Sequence, residues 1–80
     1  MYTVIGKFKK DGSKKDGGNY SIRQLHLSTD NPDRFGNKPT EGCFVQVVRC
    51  SDDVFELVSV GQALEALYCS PGSDVVLDVK

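Results

Sequence analysis

Eighty residues, 39% hydrophobic and 26% charged, describe one small domain whose core is limited enough that self-association is expected. No apolar run approaches the roughly 20 residues that span a bilayer, and no charged leader precedes a signal-like core, so a soluble, cytoplasmic protein without a membrane partner is expected. The formal net charge of −1 conceals a polarity: residues 1–40 balance to +4 (six Lys, two Arg, four Asp), and residues 41–80 to −5 (one Arg and one Lys against seven acids).

Residues 2–9 are rich in β-branched and aromatic types and read as a first strand. Strict alternation puts Tyr2, Val4, Gly6 and Phe8 on one face and Thr3, Ile5, Lys7 and Lys9 on the other, while Gly6 signals a bend. Residues 10–18, with Lys10, Lys14, Lys15 and three glycines, read as a basic turn. A second strand over residues 20–28 carries Tyr20 and Ile22 on one parity and Leu25 and Leu27 on the other. Either a bulge shifts the register midway, or Tyr20 and Ile22 lie on an outer, ligand-facing surface.

Residues 29–42 contain Pro32, Gly36, Pro39 and Gly42 and form a long loop of the kind that carries function. Residues 43–50 give the clearest strand, 51–53 a turn, and 54–60 a short strand or irregular extended segment. Residues 61–68 admit a short helix or, preferred here, a strand that turns through 70–73 into a last strand over 75–79. The expected fold is all-β with at most one short helix: a small five-stranded antiparallel barrel of OB type, a class whose face and loops frequently bind oligonucleotides.

Catalytic chemistry finds little support. His26 is the lone histidine, Gly12, Gly17 and Gly18 do not match a phosphate-cradling loop, and no carboxylate pair flanks a nucleophile. No C-x-x-C pair accompanies Cys43, Cys50 and Cys69, which read as reduced, mostly buried thiols, so no metal or cofactor is expected. Cationic side chains next to rings suggest another chemistry. Lys7, Lys9, Lys10, Lys14 and Lys15 cluster near the first hairpin, Arg23 follows on the second strand, and Arg34 and Lys38 come from the long loop. Lysines suit phosphate tracking, and Tyr20 and Phe35 are the rings expected to stack bases. The acidic second half reads as a solvated face.

The segment Lys15-Asp16-Gly17-Gly18-Asn19-Tyr20-Ser21-Ile22-Arg23-Gln24-Leu25, with Val60-Gly61-Gln62 later, resembles the filamentous-phage helix-destabilising proteins, small OB-type single-stranded DNA-binding proteins that dimerise and coat DNA. The resemblance implies that Tyr20 and Ile22 line the DNA face and that Lys10 and Lys15 contact the backbone. It departs from the family where Gln-Leu comes one residue sooner after Tyr-Ser, and where Ala63 replaces the stacking aromatic, a role left to Phe35. The expectation is a non-catalytic, low-specificity binder of single-stranded DNA or RNA, of phage or mobile-element type and acting as a homodimer. Its expected site is Lys7, Lys9, Lys10, Lys14, Lys15, Tyr20, Ile22, Arg23, Phe35 and Lys38. The alternative is a small β-barrel protein-interaction module docking through a strand edge or the long loop.

Overall fold

The computed structural model describes all 80 residues, and its dominant feature is a long antiparallel hairpin of Tyr2–Ser13 (β1) and Asn19–Thr29 (β2). Phe44–Arg49 (β3) pairs with β2, and Ala63–Leu64 (β4) with β1, giving a four-stranded antiparallel sheet in the order β3-β2-β1-β4. Leu67–Cys69 (β5) and Val76–Val79 (β6) form a second, two-stranded sheet. The all-β character of the sequence reading is therefore seen, as six strands in two sheets.

The two sheets are joined twice. A parallel bridge links Cys50, just past β3, to Val76 at the start of β6. Between β4 and β5, Glu65 and Ala66 donate to the Lys80 carbonyl and Lys80 N–H returns to Ala66 O, so the end of β6 stays tied to the bend that connects the two sheets. The turn at 70–73 closes on Ser73 N–H to Ser70 O at 3.0 Å, with Gly72 at φ 77°.

The face problem of β2 is resolved in β1. Val4 lies opposite Leu27 but Gly6 lies opposite His26, which leaves Ile5 unmatched as a bulge. Strand β2 keeps a strict period of two, so Leu25, Leu27 and Thr29 are buried while Tyr20 and Ile22 face the other way. On β1 the bulge puts Tyr2 and Val4 on the core side and Phe8 on the opposite side, correcting the uninterrupted alternation expected for residues 2–9. The glycine at position 6 marked the kink. The turn is also shorter than residues 10–18, because the ladder continues to Ser13–Asn19.

Residues 52–57 form a helix (α1, Asp52–Leu57), where a turn and an extended segment were expected. Ser51 caps it by accepting the Val54 N–H at 3.2 Å, and Asp52 and Asp53 sit in the first turn, where the helix dipole favours anions. One helical turn offers no periodicity to read. Its Val54 and Phe55, with Val58 beyond, pack against Val4, Leu25, Leu27, Cys50, Leu64 and Val76 to form the core. Helix α1 is six residues long, and no helix is long and apolar enough to cross a membrane. Of the three free cysteines only Cys50 is buried; Cys43 and Cys69 are exposed, which corrects the expectation of mostly buried thiols.

No fully buried residue lies on β1 after Val4 or on β2 before Leu25. The distal hairpin is an arm reaching beyond the core, and the molecule measures 46 × 25 × 23 Å.

Candidate nucleic-acid interface

The register assigns the hairpin's side chains to two surfaces. Opposed residues share a face, so Lys7, Lys9, Asp11, Ser21, Arg23 and Leu25 lie on the core side. Gly6, Phe8, Lys10, Gly12, Tyr20, Ile22, Gln24 and His26 lie on the outer side, continued onto β3 by Val45, Val47 and Arg49. No aspartate or glutamate occupies the outer side. Two free cations (Lys10, Arg49), two aromatic rings (Phe8, Tyr20) and three aliphatic side chains (Ile22, Val45, Val47) do.

Tyr20 is held by the residue opposite it. A Cβ built on Gly12 would stand 2.4 Å from both Cζ and Oη of Tyr20, so the phenol lies directly over the Gly12 backbone. The missing side chain makes the ring's bed. Tyr20 is half-buried there, Phe8 is 43% exposed, and Ile22 lies between them opposite Lys10. Phe8 and Tyr20 stand about 13 Å apart along the hairpin, from the usual strand rise.

On the core side the cations have internal partners. Lys7 Nζ donates to Val58 O at 2.9 Å and sits 4.3 Å from the Phe55 ring centroid. Arg23 Nη1 donates to Asp11 and to Ile22 O, both at 2.9 Å, and the guanidinium forms an ion pair with Asp52, Nε to Oδ1 at 3.1 Å. The hydrogen bond from Arg23, aided by Ser21, holds the Asp11 carboxyl below its ordinary pKa, and the same bond pushes Arg23 up. Lys7 and Arg23 thus brace the hairpin against α1.

Lys9, Lys10, Lys14, Lys15 and Lys38 are exposed and take part in no ion pair. Lys14 and Lys15 occupy the arm's tip, where Asp16 accepts the Gly18 N–H at 3.0 Å and Gly17 adopts φ 88°. Asp16 therefore builds the turn. Where β2 outruns β3, a cleft of about 480 Å³ opens, lined by Tyr20, Ile22, Arg23, Arg49, Cys50 and Val75. Burial pushes the Cys50 thiol up from its ordinary pKa, which leaves it protonated at neutral pH.

Phe35 and Lys38 belong elsewhere. Their loop leaves β2 at Thr29, about 30 Å along the strand from Tyr20. Asp33 accepts the N–H groups of Phe35 and Asn37 at 2.8 and 2.9 Å, and those backbone bonds, Asn37's first, keep its carboxyl below the ordinary value. Phe35 is 73% exposed, with the Arg34 guanidinium 4.7 Å from its centroid. The structure brings Tyr20, Ile22 and Lys10 together on one face, puts Lys9, Lys14 and Lys15 along the same arm, and leaves Phe35 and Lys38 on a separate loop. Phe8 and Arg49 were missed by sequence reasoning. Phe8 had been given Val4's face, and only the bulge signalled by Gly6 points to it; the exposed parity of Arg49 follows once Val48 is placed inward.

No group of three or more His, Cys, Asp or Glu side chains is gathered closely enough to hold a metal ion. No family model, curated protein or solved structure matches the chain.

Proposed function

We propose that this protein binds single-stranded nucleic acid without catalysis and with low sequence specificity. One observation carries the reading: the outer face of β1, β2 and β3 holds Phe8, Lys10, Tyr20, Ile22 and Arg49 and not a single carboxylate, although the chain has 11 acidic residues. Bases stack on Tyr20 and Phe8 and rest against Ile22, while Lys10, Lys14, Lys15 and Arg49 track phosphates and Lys9 adds positive charge from the other side of the arm. Phe35, Arg34 and Lys38 form a second contact at the far end. Lysine point charges favour backbone tracking over base-specific forks, which accounts for low specificity.

The architecture is read as a partly open OB-type barrel. Counting residues 63–69 as one strand gives five strands, α1 fills the connection after β3, and the Cys50–Val76 bridge closes the curl. The short resemblance to phage helix-destabilising proteins around Tyr20 supports the same class and an origin in a phage or mobile element.

Fluorescence anisotropy with labelled oligothymidine at two salt concentrations tests the reading. Four or five neutralised phosphates give a slope of log K against log salt of about −3 to −3.5. Absence of binding at low salt refutes it. Parallel titrations with oligodeoxyuridine and oligouridine decide between DNA and RNA, since only the 2′-hydroxyl separates those two.

A further inference from the structure

Strand β2 runs past its pairing with β3. The ladder ends at Gln24–Arg49, and Cys50 N–H adds one last bond to Arg23 O at 3.0 Å before Ser51 turns the chain into α1. That bond fixes the alternation along β2: the backbone groups of Asn19, Ser21 and Arg23 face the β3 side. Those of the even-numbered residues face β1, in keeping with the Lys14 N–H to Gly18 O bond across the turn. The N–H and C=O groups of Asn19 and Ser21 therefore point away from the hairpin. No strand pairs with β2 there, and no loop or turn hydrogen bond reaches them.

The cleft of about 480 Å³ lies along this edge. Tyr20, Ser21, Ile22 and Arg23 form its length, while Arg49, Cys50 and Val75, the last brought in by the Cys50–Val76 bridge, close its inner end. The other end opens towards the arm's tip. Residues 19–22 extend about 13 Å, a strand position four residues long. A strand lying in it cannot continue in line, because Cys50 stands in the way, so the position suits the end of a chain. The closed end carries Arg49, exposed and in no ion pair, and the open end carries Lys14 and Lys15, also exposed and unpaired. An amino terminus at the closed end would meet like charge; a carboxylate there would meet its counter-ion. The acids near Arg23, Asp11 and Asp52, are both taken up by it, and Asp74 is not part of the lining.

We propose that this cleft docks the carboxyl-terminal segment of a partner protein, extended and parallel to β2, with its terminal carboxylate on Arg49 and acidic residues upstream beside Lys14 and Lys15. Strand β2 runs from the tip towards the core, so parallel pairing delivers the carboxyl end to the closed end. A polypeptide fits because its backbone repeats the N–H and C=O groups that complete the edge at Asn19 and Ser21. Tyr20, Ile22 and Arg49 also belong to the nucleic-acid face, so the segment should compete with oligothymidine; that consequence rests on the proposed function, whereas the docking does not.

Anisotropy of a hexapeptide, Asp-Asp-Asp-Val-Thr-Val with a dye at its amino end and a free carboxyl end, tests the docking on the full chain. Saturable binding is expected. Capping the carboxyl end as an amide should weaken it about 10-fold or more, the usual worth of a charge-assisted hydrogen bond. Methylating the nitrogens of the last three residues one at a time should give an alternating pattern, with loss where the N–H faces β2 and tolerance where it points away. Ser21→Pro removes an edge N–H that makes no bond to β1, so it should weaken peptide binding while sparing oligothymidine affinity and melting temperature. Ser21→Ala keeps that N–H and should match the wild type. No saturable binding, an amide as tight as the acid, methylation without alternation, or a Ser21→Pro variant that melts normally and binds peptide at full strength overturns the proposal. Oligothymidine binding without peptide binding overturns the docking and spares the nucleic-acid reading; peptide binding without oligothymidine binding does the reverse.

Discussion

Replacing Gly12 with alanine probes the proposed stacking platform without substituting a ring. The new Cβ would lie 2.4 Å from Tyr20 Cζ and Oη and 2.7 Å from Cε1. Ordinary carbon contacts begin near 3.5 Å, so the phenol must move by about 1 Å or more. The backbone at Gly12 has negative φ and accepts alanine, which gains roughly 0.5–1 kcal/mol over glycine inside a strand. That gain offsets the contacts the displaced ring gives up, and the arm lies outside the core cluster. Thermal stability should therefore change by less than about 1 kcal/mol. Affinity should not be spared. One base stack is worth about 1–3 kcal/mol, so Tyr20→Ala should weaken oligothymidine binding about 5- to 140-fold. Gly12→Ala should fall between Tyr20→Ala and the wild type, and Tyr20→Phe, which keeps the ring over Gly12, should stay close to the wild type. The assay is anisotropy at low salt, paired with circular-dichroism melting of each variant. Wild-type affinity in both Gly12→Ala and Tyr20→Ala, with melting unchanged, would refute the role given to this ring.

Reversing two charges at the arm's tip, Lys14→Glu with Lys15→Glu, should weaken binding to every sequence alike and make the salt slope shallower by about 1.4, as anisotropy across a salt series would record. Leu27→Ala empties a fully buried position and should cost about 2–5 kcal/mol in a urea melt; against the roughly 4–12 kcal/mol available to 80 residues, that leaves a partly unfolded population at 37 °C. The Asp11 and Asp33 carboxyls are both depressed in the folded protein, so each stabilises it fully above its unfolded pKa of about 3.9, and that contribution is lost as pH falls through the lower folded values. Protection of the Phe35 and Asn37 amides, taken relative to their intrinsic exchange rates, should persist at pH 5 and fall only in stronger acid, while Asp33→Asn should lower it at neutral pH without altering protection in the core.

Most of the strand plan was legible because alternation and turn chemistry are local. Residues 43–50 announced β3, Ser70-Pro71-Gly72-Ser73 announced the last hairpin, and the opposed parities of Tyr20/Ile22 and Leu25/Leu27 announced the two faces of β2. What stayed hidden depends on one unpaired residue or on distant packing. The bulge at Ile5 moves Phe8 across the sheet; Gly6 signalled a bend there, but a glycine alone does not say that a neighbouring residue goes unpaired. Helix α1 owes its existence to Val54, Phe55 and Val58 closing over Leu25 and Leu27, not to a propensity that six residues can express. Lys7 and Arg23 looked like free cations because their partners, Val58 O and the Asp52 carboxylate, lie far along the chain. Phe35 and Tyr20 looked like companions because two rings among basic residues cannot reveal which end of a strand each one occupies.

Chemical-shift mapping of backbone amides during an oligothymidine titration tests the central claim most directly. The largest changes should fall on Phe8, Lys10, Tyr20, Ile22, Gln24 and Arg49, with Asp52, Asp53, Asp74 and Asp78 unmoved. Perturbations gathered on α1 and the β5–β6 sheet, with the outer face silent, would contradict it.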